Sequence, residues 1–407
     1  MRSISAASER KKTGLAAIPR GVWALGVVSL CMDLSSELVH ALLPLYMAVG
    51  LGASTLTIGI VEGIAESIAL VVKVFSGVLS DLFRRRKPLV LLGYGLAALT
   101  KLVFPLAASL GWVIAARFAD RVGKGIRGAP RDALIADITP ANVRGASFGL
   151  RQALDTVGGI GGPLLALAAM AYFAGDFRSA FWVAVVPAIL CVAVLLFGVE
   201  EPAVVGAASA RKAPLRFSDA RRLSAGYWSV VIVAAVLTLA RFSEAFLVLR
   251  AQNIGLSVSA APWVMVFMST VYAVVSYPAG AAADRGRGAQ LLWSGLITLV
   301  AADLVLAEAR GPWTVFAGAA LWGLHMGLTQ GLLAALVASE APDDLRGTAF
   351  GVFNLVCGTA LLFASALAGW LWDAFGPRYT FFAGAALAFG ALVALMVRGR
   401  GVGKLAQ

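Results

Sequence analysis

Pro140-Ala141-Asn142-Val143-Arg144-Gly145-Ala146-Ser147-Phe148-Gly149 returns later in the chain as Pro342-Asp343-Asp344-Leu345-Arg346-Gly347-Thr348-Ala349-Phe350-Gly351. Subtracting 140 from 342, or 144 from 346, gives the same offset of 202 residues. Gly77-Val78-Leu79-Ser80-Asp81 is echoed by Gly280-Ala281-Ala282-Ala283-Asp284, 203 residues on. Self-similarity at a fixed spacing marks an internal repeat. The chain therefore reads as two halves in tandem.

The sequence around these motifs is apolar. Of 407 residues, 60% are hydrophobic and 14% charged, against about a quarter charged in a soluble protein. Mean hydropathy is +0.85. Stretches of about 20 apolar residues, the length that crosses a bilayer, recur throughout, so an all-α integral membrane protein is expected. Breaking the hydropathy at charges, Gly and Pro predicts twelve spans. The first six lie at roughly 21–48, 56–80, 88–108, 111–137, 147–173 and 179–198. The last six lie at roughly 226–249, 260–283, 289–308, 313–338, 347–371 and 379–397. The predicted division is an N-terminal six-helix bundle over 1–198, a polar central loop over 199–224, and a C-terminal six-helix bundle over 225–407.

A net charge of +12 would suit nucleic acid, but its distribution argues for a membrane instead. Arg84, Arg85, Arg86, Lys87, Arg144, Arg285, Arg287 and Arg346 fall on one side of the predicted spans. The central loop, with Arg211, Lys212, Arg216, Arg221 and Arg222, joins them, as do Arg398, Arg400 and Lys404. Lys and Arg collect on the cytoplasmic side of a membrane, which places both termini and the loop inside the cell and the protein in an inner-type cell membrane. Arg2, Arg10, Lys11, Lys12 and Arg20 precede a long apolar segment rather than a short signal-peptide core, so a retained anchor is expected. Cys31, Cys191 and Cys357 are scattered, which speaks against a disulfide framework or a metal cluster. His40 and His325 stand far apart, and neither a metal site nor a cofactor is expected.

Charge inside the predicted spans then needs a purpose. In the fourth, Arg117, Asp120, Arg121, Lys124, Arg127, Arg131 and Asp132 fit an arc of roughly 140° on a 3.6-residue helix. Phe118, Ala119, Val122, Ile126, Ala129 and Ala133 take the opposite face. Asp33, Glu37 and His40 share a face of the first span, and Glu62, Glu66 and Lys73 a face of the second. Arg151, Asp155, Gly158 and Gly162 line up in the fifth, and Arg241 and Glu244 stand one turn apart in the seventh. A charge in a bilayer costs about 2.5–3.5 kcal/mol on insertion scales, so these side chains should face protein or water. Two uses compete: opposite charges neutralise one another and lock the first bundle, or a carboxylate among them faces a cavity and exchanges a proton. Candidates for proton coupling are Asp33, Glu37, Glu62, Glu66 and Asp155, with Arg121 as the basic partner. Arg241, Glu244, His325 and Gln330 are the candidates for contact with a small-molecule substrate. Arg127, Arg131 and Asp132 are expected near the cytoplasmic surface. Asp303 stands 202 residues after Lys101, a pseudo-symmetric pair without an evident use.

The loop Gly77-x-Leu79-Ser80-Asp81-x-x-Arg84-Arg85-Arg86-Lys87 resembles the cytoplasmic signature G-x-L-a-D-r-x-G-r-k of the major facilitator superfamily, with Leu82 and Arg84 departing from it. Its copy from Gly280 to Arg287 is degenerate. Arg121-Val122-Gly123-Lys124-Gly125 is similar to that family's helix-4 pattern R-x-x-q-G, with Lys replacing Gln. Gly158-Gly159-Ile160-Gly161-Gly162-Pro163 resembles the helix-5 pattern of its exporters, without the glycines that should follow. The resemblance covers residues 21 to about 397 and implies two bundles rocking around a central site. It points to gating at Gly77, Asp81, Arg85 and Arg86, with Asp284 as a weaker mirror. Gly158 and Gly162 are small residues suited to close helix packing, with Pro163 bending the helix after them; the resemblance adds a role against proton leak.

No P-loop, effector domain or nucleophile–base constellation is found, so the expected function is transport rather than catalysis. The first expectation is a proton-coupled secondary transporter of a small organic solute working as an exporter (antiporter). An importer (symporter) of a metabolite or metal chelate comes second, and a non-transporting membrane sensor third. A monomer in the lipid bilayer, without nucleic acid, is expected.

Overall fold

In hydrocarbon a backbone has no water to bond with and must satisfy itself, which a helix does within one segment. The computed structural model describes residues 18–83, 85–140, 143–201, 222–342 and 345–397, and every regular element among them is helical. Helix α1 (Arg20–Leu45) passes through a π turn at Tyr46–Gly50 before α2 (Thr55–Phe83). Helices α3 (Lys87–Leu106), α4 (Leu110–Ile138), α5 (Arg144–Tyr172) and α6 (Phe177–Gly198) follow. The second part holds α7 (Ala225–Ala240), α8 (Ala245–Asn253), α9 (Trp263–Ala282), a π segment at Ala283–Arg287, and α10 (Gly288–Ala307). Helices α11 (Pro312–Glu340), α12 (Arg346–Phe375) and α13 (Pro377–Val397) complete it. Among the described residues, eight helical stretches are long and apolar enough to cross a membrane; the charge-bearing α2 and α4 are not counted in these. Arg84, most of the central loop, the N-terminal charges before Arg20 and the C-terminal charges lie outside the described residues, as do the side chains of Asp81 and Arg346.

The span expected over 226–249 is two helices, not one. Helix α7 stops at Ala240 and α8 starts at Ala245, although neither Gly nor Pro stands between them. Side chains replace the lost ladder: the Ser243 N–H donates to the Ser365 hydroxyl (3.1 Å) and the Ala245 N–H to the Ser243 hydroxyl (3.3 Å). Phe242 and Ser243 are buried in protein, the setting in which a membrane helix tolerates a break. Arg241 and Glu244 therefore flank a bend instead of stacking along one helix.

The 202-residue offset of the sequence is also an offset of contacts. Gly93 of α3 lies so close to α4 that an added Cβ would meet Gly123 O and Arg127 N, each at 2.7 Å. Adding 202 to these three numbers gives Gly295, His325 and Thr329. These three also meet: the Thr329 side chain fills the place of a Gly295 Cβ, and His325 Nδ1 lies 2.8 Å from Gly295 O.

Helix α1 packs on α5 and α6, α3 on α4, and α10 on α11 and α13, while α2 runs beside α12 and α5 beside α9. The α2–α12 seam is close enough that a Cβ on Gly63 would sit 2.9 Å from Leu362 Cα, and one on Gly369 2.7 Å from Leu56 Cα. Within it the Ser67 hydroxyl donates to Gly358 O (2.6 Å). At its end, Asp373 of α12 accepts from the Thr55 and Leu56 N–H groups of α2 (3.1 and 2.8 Å).

The apolar core is continuous at one end of the molecule and divided at the other. Leu38 to Met47 of α1 share one buried cluster with Phe246 to Ala251 of α8 and residues of α9, α10 and α11. At the opposite end, Val22, Leu25, Tyr94 and Leu134 form one cluster, and Tyr227, Val230, Val337 and Ala349 a separate one. The divided end carries the Arg85–Lys87 turn and is called the basic face below.

Candidate functional site

Charges on a buried helix need counter-charges from its neighbours, because water is not there to screen them. Helix α4 draws them from α2, α3 and α5. Lys101 Nζ of α3 lies 2.7 Å from Asp120 Oδ1, with both groups buried. Arg121 reaches Asp120 on one side (3.4 Å) and Glu66 on the other (3.1 Å). Arg117 lies 3.6 Å from Glu66 and 2.5 Å from Glu62. His40 of α1 then stands 3.9 Å from Glu62 and 3.4 Å from Glu37. Lys101, Asp120, Arg121, Glu66, Arg117, Glu62, His40 and Glu37 thus form one line of groups in which acid and base alternate.

A second cluster lies nearer the basic face. Arg151 pairs with Asp155 (2.6 Å) and approaches Asp132 (3.8 Å), while Arg131 meets Asp132 at 3.2 Å. Arg131 also donates to the Ser29 hydroxyl (2.9 Å) and the Tyr94 hydroxyl (3.3 Å), and the buried Arg127 guanidinium stacks 4.7 Å above the Tyr94 ring. Arg127 and Arg131 lie toward the basic face, yet they are held within the protein rather than projecting from it. A cation over an aromatic face gains about 0.5–2 kcal/mol, and this contact, with the hydrogen bonds, keeps them inside the first half.

Between the halves lies a cavity of about 370 Å³. Glu37, Glu66, Lys124, Gln152 and Asp155 supply its wall from the first half; Arg241, Phe242, Glu244, Tyr272 and Gln330 supply it from the second. The ladder reaches this wall at Glu66 and Glu37. Glu62 and Arg121 are buried behind it. Arg241 and Glu244 face the cavity without an ion pair among the described residues, and so does Lys124. Lys124 escaped the sequence reading, which took it as a stand-in for the Gln of the helix-4 pattern; a lone charge three residues past Arg121 was the available signal. His325 does not line the cavity. It is buried in the α10–α11 contact, with its ring nitrogen against Gly295 O.

The helix-5 glycines lie against the acids of α1. A Cβ on Gly158 would meet Asp33 Cβ at 2.8 Å, and one on Gly162 would meet Glu37 Cβ at 2.5 Å. Pro163, also buried, follows within α5. Around the basic turn, Gly77 brings α2 to within 3.3 Å of the Ala129 Cβ of α4, measured from an added Cβ. Arg86 Nε lies 2.6 Å from Asp137, and the Glu201 carboxylate accepts from the Arg86 and Lys87 N–H groups (2.8 Å each). Arg85 is exposed, as is Asp284 within the π segment.

The family model of the Major Facilitator Superfamily matches residues 25–249 and again 228–405. The chain belongs to the major facilitator superfamily. It is 32% identical to an MFS-type transporter of Methanocaldococcus jannaschii, a match that covers 91% of this chain and 93% of that protein. The inner membrane transport protein YajR of Escherichia coli is 28% identical, with 91% and 81% covered. Among solved structures, the peptide transporter POT has a TM-score of 0.78 at 15% identity, covering 97% of both chains. A bacterial homologue of the lysosomal transporter Spinster, inward-facing and occupied, has a TM-score of 0.73 at 16% identity, covering 95% of this chain and 97% of that one. The chain is thus a multi-pass membrane transporter whose substrate these relatives leave open.

Proposed function

We propose that this transporter is proton-coupled, moves a small organic solute by alternating access, and works as an exporter. One observation carries the reading: the alternating ladder rooted at the buried Lys101–Asp120 pair ends on the cavity wall at Glu66 and Glu37. A carboxylate there is paired or wetted according to which way the cavity opens, and its proton affinity changes with that environment. Proton coupling needs such a change. Arg121 supplies the fixed charge that Glu66 gains or loses, and Asp33 and Asp155 stand as further acids beside α5.

In this reading twelve spans form two six-helix bundles, 1–198 and 225–407, that rock about the cavity. The basic face is cytoplasmic and carries both termini, so the conformation described is the inward-facing one. Solute contacts fall to Arg241, Glu244 and Gln330, with Lys124 opposite. Gly77, Asp81, Arg85 and Arg86, mirrored by Asp284, would close the basic face in the other state. The tight fit of Gly158 and Gly162 against Asp33 and Glu37 supports export by antiport, because a seam without space for water between α1 and α5 keeps protons from slipping past the acids.

Reconstituted protein tests this. In energised inside-out vesicles, a panel of labelled cationic, anionic and neutral compounds should show pH-gradient-dependent accumulation of at least one of them. Asp33→Asn, Glu37→Gln and Glu66→Gln should each lower that flux by at least about tenfold, the scale of losing one charge-assisted contact, with the protein still inserted. Normal gradient-driven flux in all three variants would remove these acids from the coupling, and flux unaffected by collapsing the gradient would remove the proton from the mechanism.

A further inference from the structure

Asp303 of α10 is wholly buried, and neither of its carboxyl oxygens has a hydrogen-bond donor. The repeat sharpens the oddity. Asp303 corresponds to Lys101, and Trp322 of α11 corresponds to Asp120, both at an offset of 202. Where the first half has an ion pair of 2.7 Å, the second has a carboxyl group and an indole. Trp322 Nε1 is likewise buried without an acceptor.

The charged groups on the surrounding elements are paired or directed elsewhere. His325 of α11 is held at Gly295 O, and Arg250 of α8 donates to Leu306, Ala307 and Ala309 carbonyls. Arg378 of α13 pairs with Glu308, and Arg241 opens on the cavity. A carboxylate buried with neither donor nor counter-charge costs several kcal/mol, and such a group keeps its proton instead.

Phe242 stands close to this acid and also belongs to the cavity wall. Gly384 of α13 leaves a space that an added Cβ would share with Asp303 Oδ2 at 2.5 Å and Phe242 Cε1 at 3.0 Å. The Phe242 side chain also lines the central cavity. It leans on Trp322 and Phe381, with ring centroids 5.3 and 5.5 Å away. Its backbone belongs to the break between α7 and α8, outside the helical ladder.

We propose that Asp303 is a second proton-binding site, loaded in this conformation and opened to the central cavity when Phe242 moves aside. On opening, the O–H bond of the Asp303 carboxyl breaks and the proton passes to cavity water. The site lies in the half of the molecule opposite the acidic ladder, and its protonation does not depend on the direction or coupling of transport.

Infrared spectroscopy of the purified full-length protein in lipid nanodiscs, with its aspartates isotopically labelled, tests the assignment. Wild type should show a protonated carboxyl band that persists at neutral pH and is missing in Asp303→Asn. Phe242→Ala should speed hydrogen–deuterium exchange of that band at least about tenfold, as expected when a local opening becomes easier. Equal bands in wild type and Asp303→Asn would overturn the loaded acid, and unchanged exchange in Phe242→Ala would overturn the route. Should Asp303→Asn not fold, Asp303→Glu keeps the acid and should shift the band; an unshifted band also overturns the assignment. Neither readout uses flux, so its failure is separate from failure of the proton-coupled exporter reading.

Discussion

At the scale of single residues, buried pairs differ from cavity-facing groups in what their removal should do. Lys101 and Asp120 touch no part of the cavity wall. Lys101→Met should lower stability by about 3 kcal/mol, because it removes the nearest counter-charge of the buried Asp120 and leaves only Arg121 at 3.4 Å, and adding Asp120→Leu should recover most of that loss. Thermal melting of the detergent-purified protein measures both. Asp176, outside the spans, makes a milder case. It accepts from the Ser179 and Arg178 N–H groups at the start of α6 (3.0 and 3.3 Å), and hydrogen bonding from Ser179 above all holds its carboxyl below the usual carboxylate range. With a depressed folded value, the cap contributes fully above the unfolded carboxylate pKa and is lost as pH falls through the folded one. Asp176→Ala should therefore cost about 1 kcal/mol near neutrality and little in acid, as a melting series over pH would show. Much of this was legible in sequence. The helical wheel of α4 put its charges on one side, but a wheel gives direction and not depth. It could not show that Tyr94 draws Arg127 and Arg131 inward, nor that Lys124 alone among them reaches the cavity unpaired.

At the scale of elements, glycines decide which helices touch. Gly93 and Gly95 lie two residues apart on α3, yet a Cβ on the first meets α4 backbone at 2.7 Å while one on the second meets nothing within 4 Å. Gly93→Ala should destabilise by about 1–3 kcal/mol through overpacking. Gly95→Ala should instead stabilise by up to about 1 kcal/mol through helix propensity. Melting temperatures of the matched pair check both signs. Hydropathy found the apolar segments because twenty apolar residues have few alternatives. It missed the α7–α8 break because Ser243 and Ser365 satisfy that backbone from two distant parts of the chain, a pairing that no local window contains.

At the scale of the whole molecule, the core is sealed at one end and divided at the other. Gln152→Cys, on the cavity wall and exposed, should react with a water-soluble maleimide added from the basic face. Phe246→Cys, within the continuous core, should not. Cys31, Cys191 and Cys357 are buried and leave little background. The internal repeat makes a tandem organisation legible in sequence, and the Gly93 and Gly295 contacts carry the same offset. The repeat could not reveal the end at which this conformation is sealed, since that depends on contacts between the halves.

Asp373 gives that sealed end a lifetime. Its carboxylate, on α12, holds the first free N–H groups of α2, so parting the helices there uncaps α2. Hydrogen bonds to a charged group contribute about 1.5–3 kcal/mol each, and every 1.4 kcal/mol is about tenfold in a population. In the proposed alternating-access cycle, the carboxylate would act as a latch whose release sets a waiting time. Asp373→Ala should shorten the sealed dwell at least about tenfold in single-molecule fluorescence across the α2–α12 seam. An unaltered dwell would mean that the clock of the cycle is set elsewhere.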